Sequence, residues 1–362
     1  MSTQNKRILT MQESINEGLI IAAKKNKKII FFAQGVQDPT AVFGTLKNLS
    51  KHIKSERIIE TPVAENGTCG IAIGAAMTGM IPVISFHRAE FALLAMEQLI
   101  NNAAKAHYVS RGKHFVPLLL RLIVGRGWGQ GPAHSQSLES IFCSIPGLKV
   151  IMPAFPSDAK GLIISALSDN NPIICIENRW SHYTKGEVKK GYFKSDITKP
   201  KKISSGNRIT VVSTGFMTLE SKRAVDLLKG EGIESDHFDL RILRPLNLEE
   251  IIKSIKKTGS IIFVDTGHKT LGIGSEVISK ITEEAFDFLK RSPIRLGLPD
   301  HPTPSSRGLI VDYYPDTVKI LEAIAKILGL EEDLIKKLEF KIKNDKNNLP
   351  IDVPDSFFKG PF

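Results

Sequence analysis

Short apolar runs alternate with segments of helical spacing along the first half of this chain. The runs that read as strands buried on both faces are KKIIFFAQGV, MIPVISF, FVPLLLRLIV, LKVIMPA and PIICIEN. The segments with helical spacing are TMQESINEGLIIAAKK, AEFALLAMEQLINNAAKAHYVS and PSDAKGLIISALSD. This alternation predicts an α/β fold with a largely parallel sheet.

The alternation begins again after a lysine-rich segment. Strands are predicted at RITVVSTG, IESDHFDLRILRP and SIIFVDTG, with helices at TLESKRAVDLLKGEG and LEEIIKSIKKTG between them. A chain of 362 residues has room for two domains of ordinary size. We therefore predict two doubly wound α/β domains, 1–185 and a smaller 206–330, joined by a linker at 186–205. Prolines and mixed charge predict an appended C-terminal tail at 331–362.

The net charge of +11 raises the question of a nucleic-acid partner. The lysines gather in KKNKK (24–28) and in the stretch 185–202. Neither cluster is interleaved with the aromatic side chains on which bases stack. Solvated loops explain the clusters better, and we expect no nucleic-acid partner.

The sequence also bears on the cellular compartment. Its first residues lack the basic start, apolar core and cleavage site of a secretory signal, and no apolar run is long enough to span a bilayer. Cys69, Cys143 and Cys175 are far apart in apolar surroundings, without the spacing of a zinc site. We expect core cysteines in a soluble protein of the cytoplasm or an organelle matrix, with no membrane partner.

Glu65 stands alone at the head of twenty-one residues that carry no other full charge. Small residues such as Gly67, Gly70 and Gly74 follow it, which suits a helix packed closely against a neighbour. Glu65 would then lie in the first turn of that helix. An ordinary helix-start acid and a functional carboxylate both fit this position.

Two other segments carry side chains suited to chemistry. GRGWGQGPAHSQS places four glycines before His134, which allows a close approach of the backbone to a ligand but also fits a plain turn. SALSDNNP, at 165–172, has the residues of a helix stop and also gathers the oxygen atoms that a cation needs. Neither motif decides a function by itself.

The motifs together are more specific than any one of them. The stretches concerned are RIIETPVAENGTCGIAIGAAMTG, AMEQLINNAAK, GPAHSQS, PGLKVIMPAFPSDAKGLIISALSDNNP, DLRILRPLNLEEIIKSIKKTGSIIFVD and EAFDFLKRSPIRLGLPDHPTP. In order and spacing, over roughly residues 5–328, they resemble the β subunit of the thiamine-diphosphate-dependent E1 component of 2-oxoacid dehydrogenases. The resemblance implies a transketolase-like pyrimidine-binding domain followed by a transketolase C-terminal domain.

The resemblance assigns roles to particular residues. Glu65 matches the glutamate that bonds to N1′ of the cofactor's aminopyrimidine and exchanges a proton with it. Phe91 matches the aromatic residue that stacks on the pyrimidine, although a core phenylalanine is the alternative. His134 matches an active-site histidine that orients the substrate or exchanges protons, although a hydrogen-bonded loop histidine would look the same in sequence. The implied substrate is a 2-oxoacid.

The resemblance also implies a monovalent-cation site in some relatives. The matching positions, which act mostly through backbone carbonyls, are Leu118, Ala166, Leu167, Asp169 and Asn171. K⁺ is the expected ion.

This chain departs from the family pattern on the substrate side. SFHRAEF brings His87 and Arg88 next to the expected cofactor pocket, and Arg126 is an addition in the glycine-rich loop. Cationic groups there suit an anionic or hydroxylated 2-oxoacid better than a branched aliphatic one.

The chain has no GDG motif, with which the family fixes the cofactor's diphosphate and Mg²⁺. The resemblance therefore implies an α-type E1 partner that supplies most of the Mg²⁺ ligands, in an α₂β₂ heterotetramer, with a lipoyl acyltransferase as a further partner. Two alternatives stay open: the C-terminal half of a split transketolase, and a non-catalytic scaffold subunit.

Overall fold

The computed structural model describes residues 7–127, 129–345, 349–350, 353 and 356–358. The strands are β1 Ile8–Thr10, β2 Ile29–Ala33, β3 Ile58–Glu60, β4 Ile81–Phe86, β5 Leu118–Val124, β6 Lys149–Ile151, β7 Pro172–Asn178, β8 Lys185–Glu187, β9 Lys201–Ser204, β10 Thr210–Ser213, β11 Asp236–Asp239, β12 Ile242–Arg244, β13 Ile261–His268 and β14 Ile294–Leu298. The helices are α1 Met11–Lys25, α2 Glu65–Met77, α3 Ala104–Val109, α4 Glu139–Cys143, α5 Pro156–Ala166, α6 Gly215–Gly230, α7 Glu249–Thr258, α8 Ile273–Ala285, α9 Arg307–Ile310, α10 Thr317–Leu328 and α11 Glu332–Asp345. Within the described part of the chain, every helix is too short or too polar to cross a bilayer.

The first domain is built on a sheet with the strand order β12-β6-β7-β5-β4-β2-β3. Its strands run parallel except β12, which pairs antiparallel with β6. Helices α1 and α5 pack together on one face, and α2 packs on the other. The apolar runs that predicted buried strands thus form the centre of a doubly wound sheet.

The second domain repeats this plan with the strand order β14-β13-β10-β11-β9. Helices α6 and α10 cover one face of this sheet, while α7 and α8 cover the other. The predicted fold class, two doubly wound α/β domains, is confirmed. The three cysteines are free and buried in the first domain, as predicted, and burial together with the nearby Glu65 charge raises the pKa of Cys69 to about 12.

One predicted strand is divided between the two domains. IESDHFDLRILRP was expected to form one strand of the second domain, but β11 lies in the second sheet and β12 lies on the edge of the first. The amide of Met152 donates to the carbonyl of Arg241, which ties the crossing segment to the first domain. Pro245 follows β12, and a residue without an N–H suits an edge strand that ends there.

Two other segments differ from their predicted form. AEFALLAMEQLINNAAKAHYVS was expected to be one α-helix, but it begins as a 3₁₀-helix at Ala89–Ala95, widens to a π-helix at Gln98–Ala103 and becomes α-helical only in α3. The segment predicted as a tail begins with α11. Leu338 and Ile342 of this helix are buried in the core of the second domain, because its apolar residues recur at helical spacing. The rest of that segment lies largely outside the described residues.

An ion pair is buried inside the first sheet. Arg121 of β5 donates to both carboxylate oxygens of Glu177 on the neighbouring strand β7, at 2.7 and 2.9 Å, and both side chains are fully buried. Ser85 Oγ accepts from the same guanidinium at 3.0 Å, and His182 Nε2 lies 3.2 Å from Glu177. Burial acts to raise the pKa of Glu177, but the charge and hydrogen bonds of Arg121 and His182 outweigh it and hold the pKa at about 2.

We predict that Glu177→Gln lowers the free energy of unfolding by roughly 3–5 kcal/mol, because it leaves the Arg121 charge buried without a counterion. Urea unfolding measures this, with the exposed Glu250→Gln as the control. Because the folded pKa of Glu177 is depressed, its contribution is present above the usual value of 4.5 and is lost as the pH falls toward 2. The variant should lack this acid-side loss, and equal stability of the two variants would contradict the prediction.

Candidate functional site

The candidate site lies where the parallel strands of the first sheet end. Strands β2, β3, β4, β5 and β7 are mutually parallel, so their carboxyl ends meet at one edge of the sheet. Ligands bind at this edge in open α/β sheets. Glu65 begins the helix that follows β3, His87 and Arg88 directly follow β4, and the glycine-rich loop 125–131 directly follows β5. The topology therefore gathers Glu65, His87, Arg88 and the loop that leads to His134 at this edge, whereas the residues matched to a cation site lie elsewhere.

Glu65 is the first residue of α2 and is only 2% exposed. Gln34, which directly follows β2, donates from Nε2 to Glu65 Oε1 over 3.4 Å. The first turn of a helix, where backbone N–H groups are free, is a place where acidic side chains are common. A carboxylate that is buried, weakly hydrogen-bonded and next to the binding edge is a suitable partner for a protonated ligand nitrogen.

His134 is held by its own loop and by the segment after β4. A Cβ on Gly125 would lie 2.3 Å from the carbonyl oxygen of His134, so only glycine allows these two backbones to approach. The rings of Phe91 and His134, both half-buried, meet edge to face with centroids 5.7 Å apart. His134 Nδ1 lies 2.5 Å from the carbonyl of Ala133 and must donate to it, which leaves Nε2 to accept a proton.

The sequence prediction missed Glu90 and Gln130, which join the two segments around His134. Glu90 is 8% exposed and accepts a hydrogen bond from the backbone amide of Gln136 at 2.6 Å. Burial raises the pKa of Glu90. Arg88 Nε donates to Gln130 Oε1 at 2.9 Å. Glu90 could have been noticed as a lone acid in the apolar segment AEFALLA, whereas no feature of the sequence points to Gln130.

The second domain packs on the glycine-rich loop. A Cβ on Gly127 would lie 2.2 Å from Ile310 Cδ1 and 2.5 Å from Thr303 Cγ2. The amide of Gly127 donates to Tyr314 Oη at 3.2 Å, and the amide of Gly129 donates to the carbonyl of Ser305 at 3.2 Å. The loop that leads to His134 is therefore fixed by contacts from both domains.

The predicted substrate residues lie in two different environments. The ring of His87 meets that of Phe43 edge to face, with centroids 5.5 Å apart. The guanidinium carbon of Arg88 lies 4.9 Å from the centroid of the same Phe43 ring. Burial and the neighbouring Arg88 charge lower the pKa of His87. Arg126 is only 6% exposed, and its guanidinium stacks 3.4 Å from the ring centroid of Trp180 and 4.5 Å from that of Tyr314. Arg126 thus packs between aromatic rings, apart from the His87 and Arg88 contacts.

Two of the residues matched to a cation site, Asp169 and Asn171, form a hydrogen-bonded turn. Asp169 accepts from the backbone amide and the side-chain amide of Asn171 at 2.8 and 2.7 Å, and from the Lys149 ammonium at 2.5 Å. Burial acts to raise the pKa of Asp169, but these hydrogen bonds and the Lys149 charge keep it below its ordinary value. Leu118 pairs with Pro172 across the sheet, while Ala166 and Leu167 lie at the end of α5. The charge of Asp169 is therefore neutralised within the chain.

Comparison with known proteins identifies the family. The pyrimidine-binding domain of transketolase matches residues 8–183, and the transketolase C-terminal domain matches residues 199–320. The chain is 32% identical to the β subunit of acetoin:2,6-dichlorophenolindophenol oxidoreductase of Bacillus subtilis, over 89% of this chain and 98% of that one. It is 35% identical to the pyruvate dehydrogenase E1 β subunit of Acholeplasma laidlawii, over 88% and 98% of the two chains. This chain belongs to the E1 β-subunit family of 2-oxoacid dehydrogenases.

Solved structures of transketolases share the fold of this chain. An inactive β4 tetramer of a split-gene transketolase superposes with a TM-score of 0.71 at 20% identity, covering 90% of this chain and 99% of that one. A transketolase from Leishmania mexicana gives a TM-score of 0.64 at 14% identity, covering 90% of this chain and 46% of the larger protein. At these identities the likeness establishes the fold alone.

Proposed function

We propose that this E1 β-type chain works with an α-type partner as a thiamine-diphosphate-dependent 2-oxoacid dehydrogenase and supplies the pyrimidine half of the cofactor site. The observation that carries the proposal is that Glu65, Phe91 and His134 lie on segments following the carboxyl ends of β3, β4 and β5, with the rings of Phe91 and His134 in contact and α2 packed on Ala89–Ala95. The family membership supports the same cofactor. A non-catalytic scaffold subunit would have no need of the buried Glu65 carboxylate, which is costly to desolvate.

The residues present fit the pyrimidine end of thiamine diphosphate. The Glu65 carboxylate is buried and, among the described residues, receives one long hydrogen bond, from Gln34, so it can bond to a ring nitrogen and exchange a proton with it. Phe91 offers a half-buried ring to stack on an aromatic ligand. When bound, the cofactor supplies a nucleophilic carbon and an electron sink for decarboxylation. The protein then binds, orients and protonates.

His134 would act on the substrate side. Its Nδ1 is engaged by the Ala133 carbonyl, so Nε2 is the nitrogen that can accept a proton or hydrogen-bond a reacting oxygen. The Phe91 ring fixes the plane of the imidazole, and the contacts of the glycine-rich loop fix its position. This arrangement suits proton exchange through Nε2.

The diphosphate and Mg²⁺ are assigned to the α-type partner. The sequence has no GDG motif, and the described residues contain no cluster of three or more acidic, His or Cys side chains that could hold a metal. A divalent cation that bridges two phosphates needs oxygen ligands in near-octahedral array. The missing ligands must therefore come from another chain. Transfer of the product to a lipoyl acyltransferase belongs to the same proposal.

An open face of α2 supports a partner chain. The small residues of this helix were expected to pack against a neighbour, yet a Cβ on Gly67 or Gly74 would meet nothing within 4 Å in this chain. Ile71 on the same helix is 67% exposed, and Leu94 of the adjoining 3₁₀-helix is 65% exposed. Exposed apolar side chains beside open glycines suit a close contact with another subunit. We place the α₂β₂ interface here.

The substrate proposal rests on His87 and Arg88 rather than on Arg126, whose guanidinium packs between Trp180 and Tyr314. A substrate with an anionic or hydroxylated side chain would gain a charge-assisted hydrogen bond from Arg88. A K⁺ ion at the Asp169 turn remains part of the proposal through the backbone carbonyls of Leu118, Ala166 and Leu167. Lys149 already neutralises the Asp169 carboxylate, so such an ion would add to a pair that is balanced without it.

We predict that Glu65→Gln lowers the rate of C2–H exchange of the bound cofactor by at least about 100-fold, because the amide cannot exchange a proton with the pyrimidine. Proton–deuterium exchange followed by NMR in the complex with the α-type partner measures this directly. Glu56→Gln, at a carboxylate that is 67% exposed, is the matched control. Unchanged exchange in the Glu65 variant would end the assignment.

We predict that Arg88→Ala lowers kcat/KM for a 2-oxoacid with an anionic side chain by roughly 10- to 100-fold more than for pyruvate, because it removes a charge-assisted hydrogen bond. Arg88→Lys keeps the charge and should recover part of this selectivity. Steady-state kinetics on the two substrates separates the effects. Equal losses on both substrates would remove Arg88 from substrate selection.

A further inference from the structure

Two buried carboxyl groups face each other across the boundary between the domains. Glu139 begins α4 in the first domain and is 2% exposed, and Asp265 lies on β13 of the second domain and is 4% exposed. The position that a Cβ on Gly267 would occupy lies 2.9 Å from Glu139 Oε1 and 3.2 Å from Asp265 Oδ2. One oxygen of each carboxyl therefore borders the open position beside Gly267, on opposite sides of the domain boundary.

Neither carboxyl has a cationic partner among the described residues. Both oxygens of Glu139 are buried without a hydrogen-bond partner, and the ion pairs of the described chain include neither acid. Asp265 receives a hydrogen bond from the backbone of Gly267. An ionised carboxylate in such a place costs several kcal/mol in lost hydration, so this arrangement needs a neutralising group.

The charged groups around the pair do not supply that neutralisation. On β14, Arg295 weakly favours the charged form of Asp265, but its Nη1 donates to the carbonyl of Lys269 and to Ser275 Oγ. Lys269 approaches through its aliphatic Cγ, which lies beside Gly297.

The titratable and charged groups near the pair on the first domain and on α8 do not neutralise it either. Cys143 of α4 is buried, and burial together with the Glu139 charge keeps its thiol protonated by raising its pKa. Arg244 donates to the backbone carbonyl of Cys143. On α8, which packs against α4, Glu276 is exposed and acidic.

We propose that Glu139 and Asp265 share a proton across the domain boundary, and that this proton keeps the segment carrying His134 docked on the second domain. Two carboxylates within about 6 Å of each other in a desolvated site disfavour the ionisation of both, and a proton is the smallest cation that removes the repulsion. The Glu139–Asp265 pair adds to the contacts by which the second domain holds the glycine-rich loop. Gly127 and Gly129 hold the segment before His134, and Glu139 holds the segment after it.

The pKa values of the pair agree with this geometry. Burial raises the pKa of Glu139 to about 7. Burial, followed by the charge of Glu139, raises the pKa of Asp265 well above its ordinary value. Because the folded pKa of Glu139 is raised, the folded chain holds a proton that the unfolded chain releases near 4.5. Stability should therefore fall as the pH rises from about 4.5 toward 7, and the loss should be complete above the folded pKa.

Thermal unfolding of the full chain at pH 6 and pH 8 tests the proposal without reference to catalysis. For a folded pKa of about 7, the Glu139 contribution to this pH step raises the unfolding equilibrium constant about tenfold, which in a chain of 362 residues corresponds to a decrease in Tm of roughly 2 °C. Glu139→Gln and Asp265→Asn cannot ionise and should lose most of this pH-dependent decrease. The matched control is Glu283→Gln, an exposed acid on the neighbouring helix α8, which should keep it.

Hydrogen exchange shows which segment loses protection when the Glu139–Asp265 pair ionises. Backbone amides of residues 125–139 should exchange faster at pH 8 than at pH 6, after correction for the intrinsic rate, in the wild type but not in Glu139→Gln. Gly267→Ala would insert a methyl group between the two oxygens and should lower Tm at both pH values and speed the same exchange. An unchanged pH step in Glu139→Gln, or an increase in Tm of the wild type with added K⁺, Ca²⁺ or Mg²⁺ at pH 8, would overturn the shared proton. Failure of this proposal would leave the role of Glu65 untouched, since that role is tested by cofactor exchange.

Discussion

The packing of a glycine-rich loop between two domains is the constraint on which the site depends. Gly125 lets the loop pass against the backbone of His134, and Gly127 lets it pass against Ile310 and Thr303 of the second domain. A side chain at either position would collide with its neighbour, because the gaps are shorter than any real Cβ contact. The imidazole of His134 is therefore positioned by the domain interface as much as by its own sheet.

The same architecture is consistent with the proposal that one chain makes only part of a site. The carboxyl edge of the first sheet offers a carboxylate, an aromatic ring and an imidazole, which suit the apolar and proton-exchanging end of a cofactor. Its cations Arg88 and Arg126 contact aromatic rings, and the described residues contain no cluster of acidic side chains for a divalent metal. The exposed apolar face beside Glu65 lies where a second subunit would complete the site.

Sequence patterns predicted the fold and the residues that follow the strands, because buried strands and helix starts have local signatures. The place of Glu65 at a helix start was predictable for this reason, and the close approach of the loop to the His134 backbone was predictable from its glycines. The crossing of β12 to the first sheet was not predictable, since a short strand carries no sign of which sheet it will join. The pairs Arg121–Glu177 and Glu139–Asp265 were also missed, because each joins residues distant in sequence and a charge within an apolar run does not name its partner. The helix α11 was predictable in principle from its apolar spacing, but its mixed charge and nearby prolines favoured a tail.

We propose that this chain holds only the pyrimidine half of a thiamine-diphosphate site. Isothermal titration calorimetry with thiamine diphosphate and Mg²⁺ tests it most directly, first on the isolated, folded chain and then on the chain mixed with its α-type partner. The account predicts no micromolar binding to the isolated chain and micromolar or tighter binding to the mixture, because the oxygen ligands for the metal and the diphosphate come from the partner. Micromolar binding to the isolated chain, with decarboxylation of a 2-oxoacid, would contradict it.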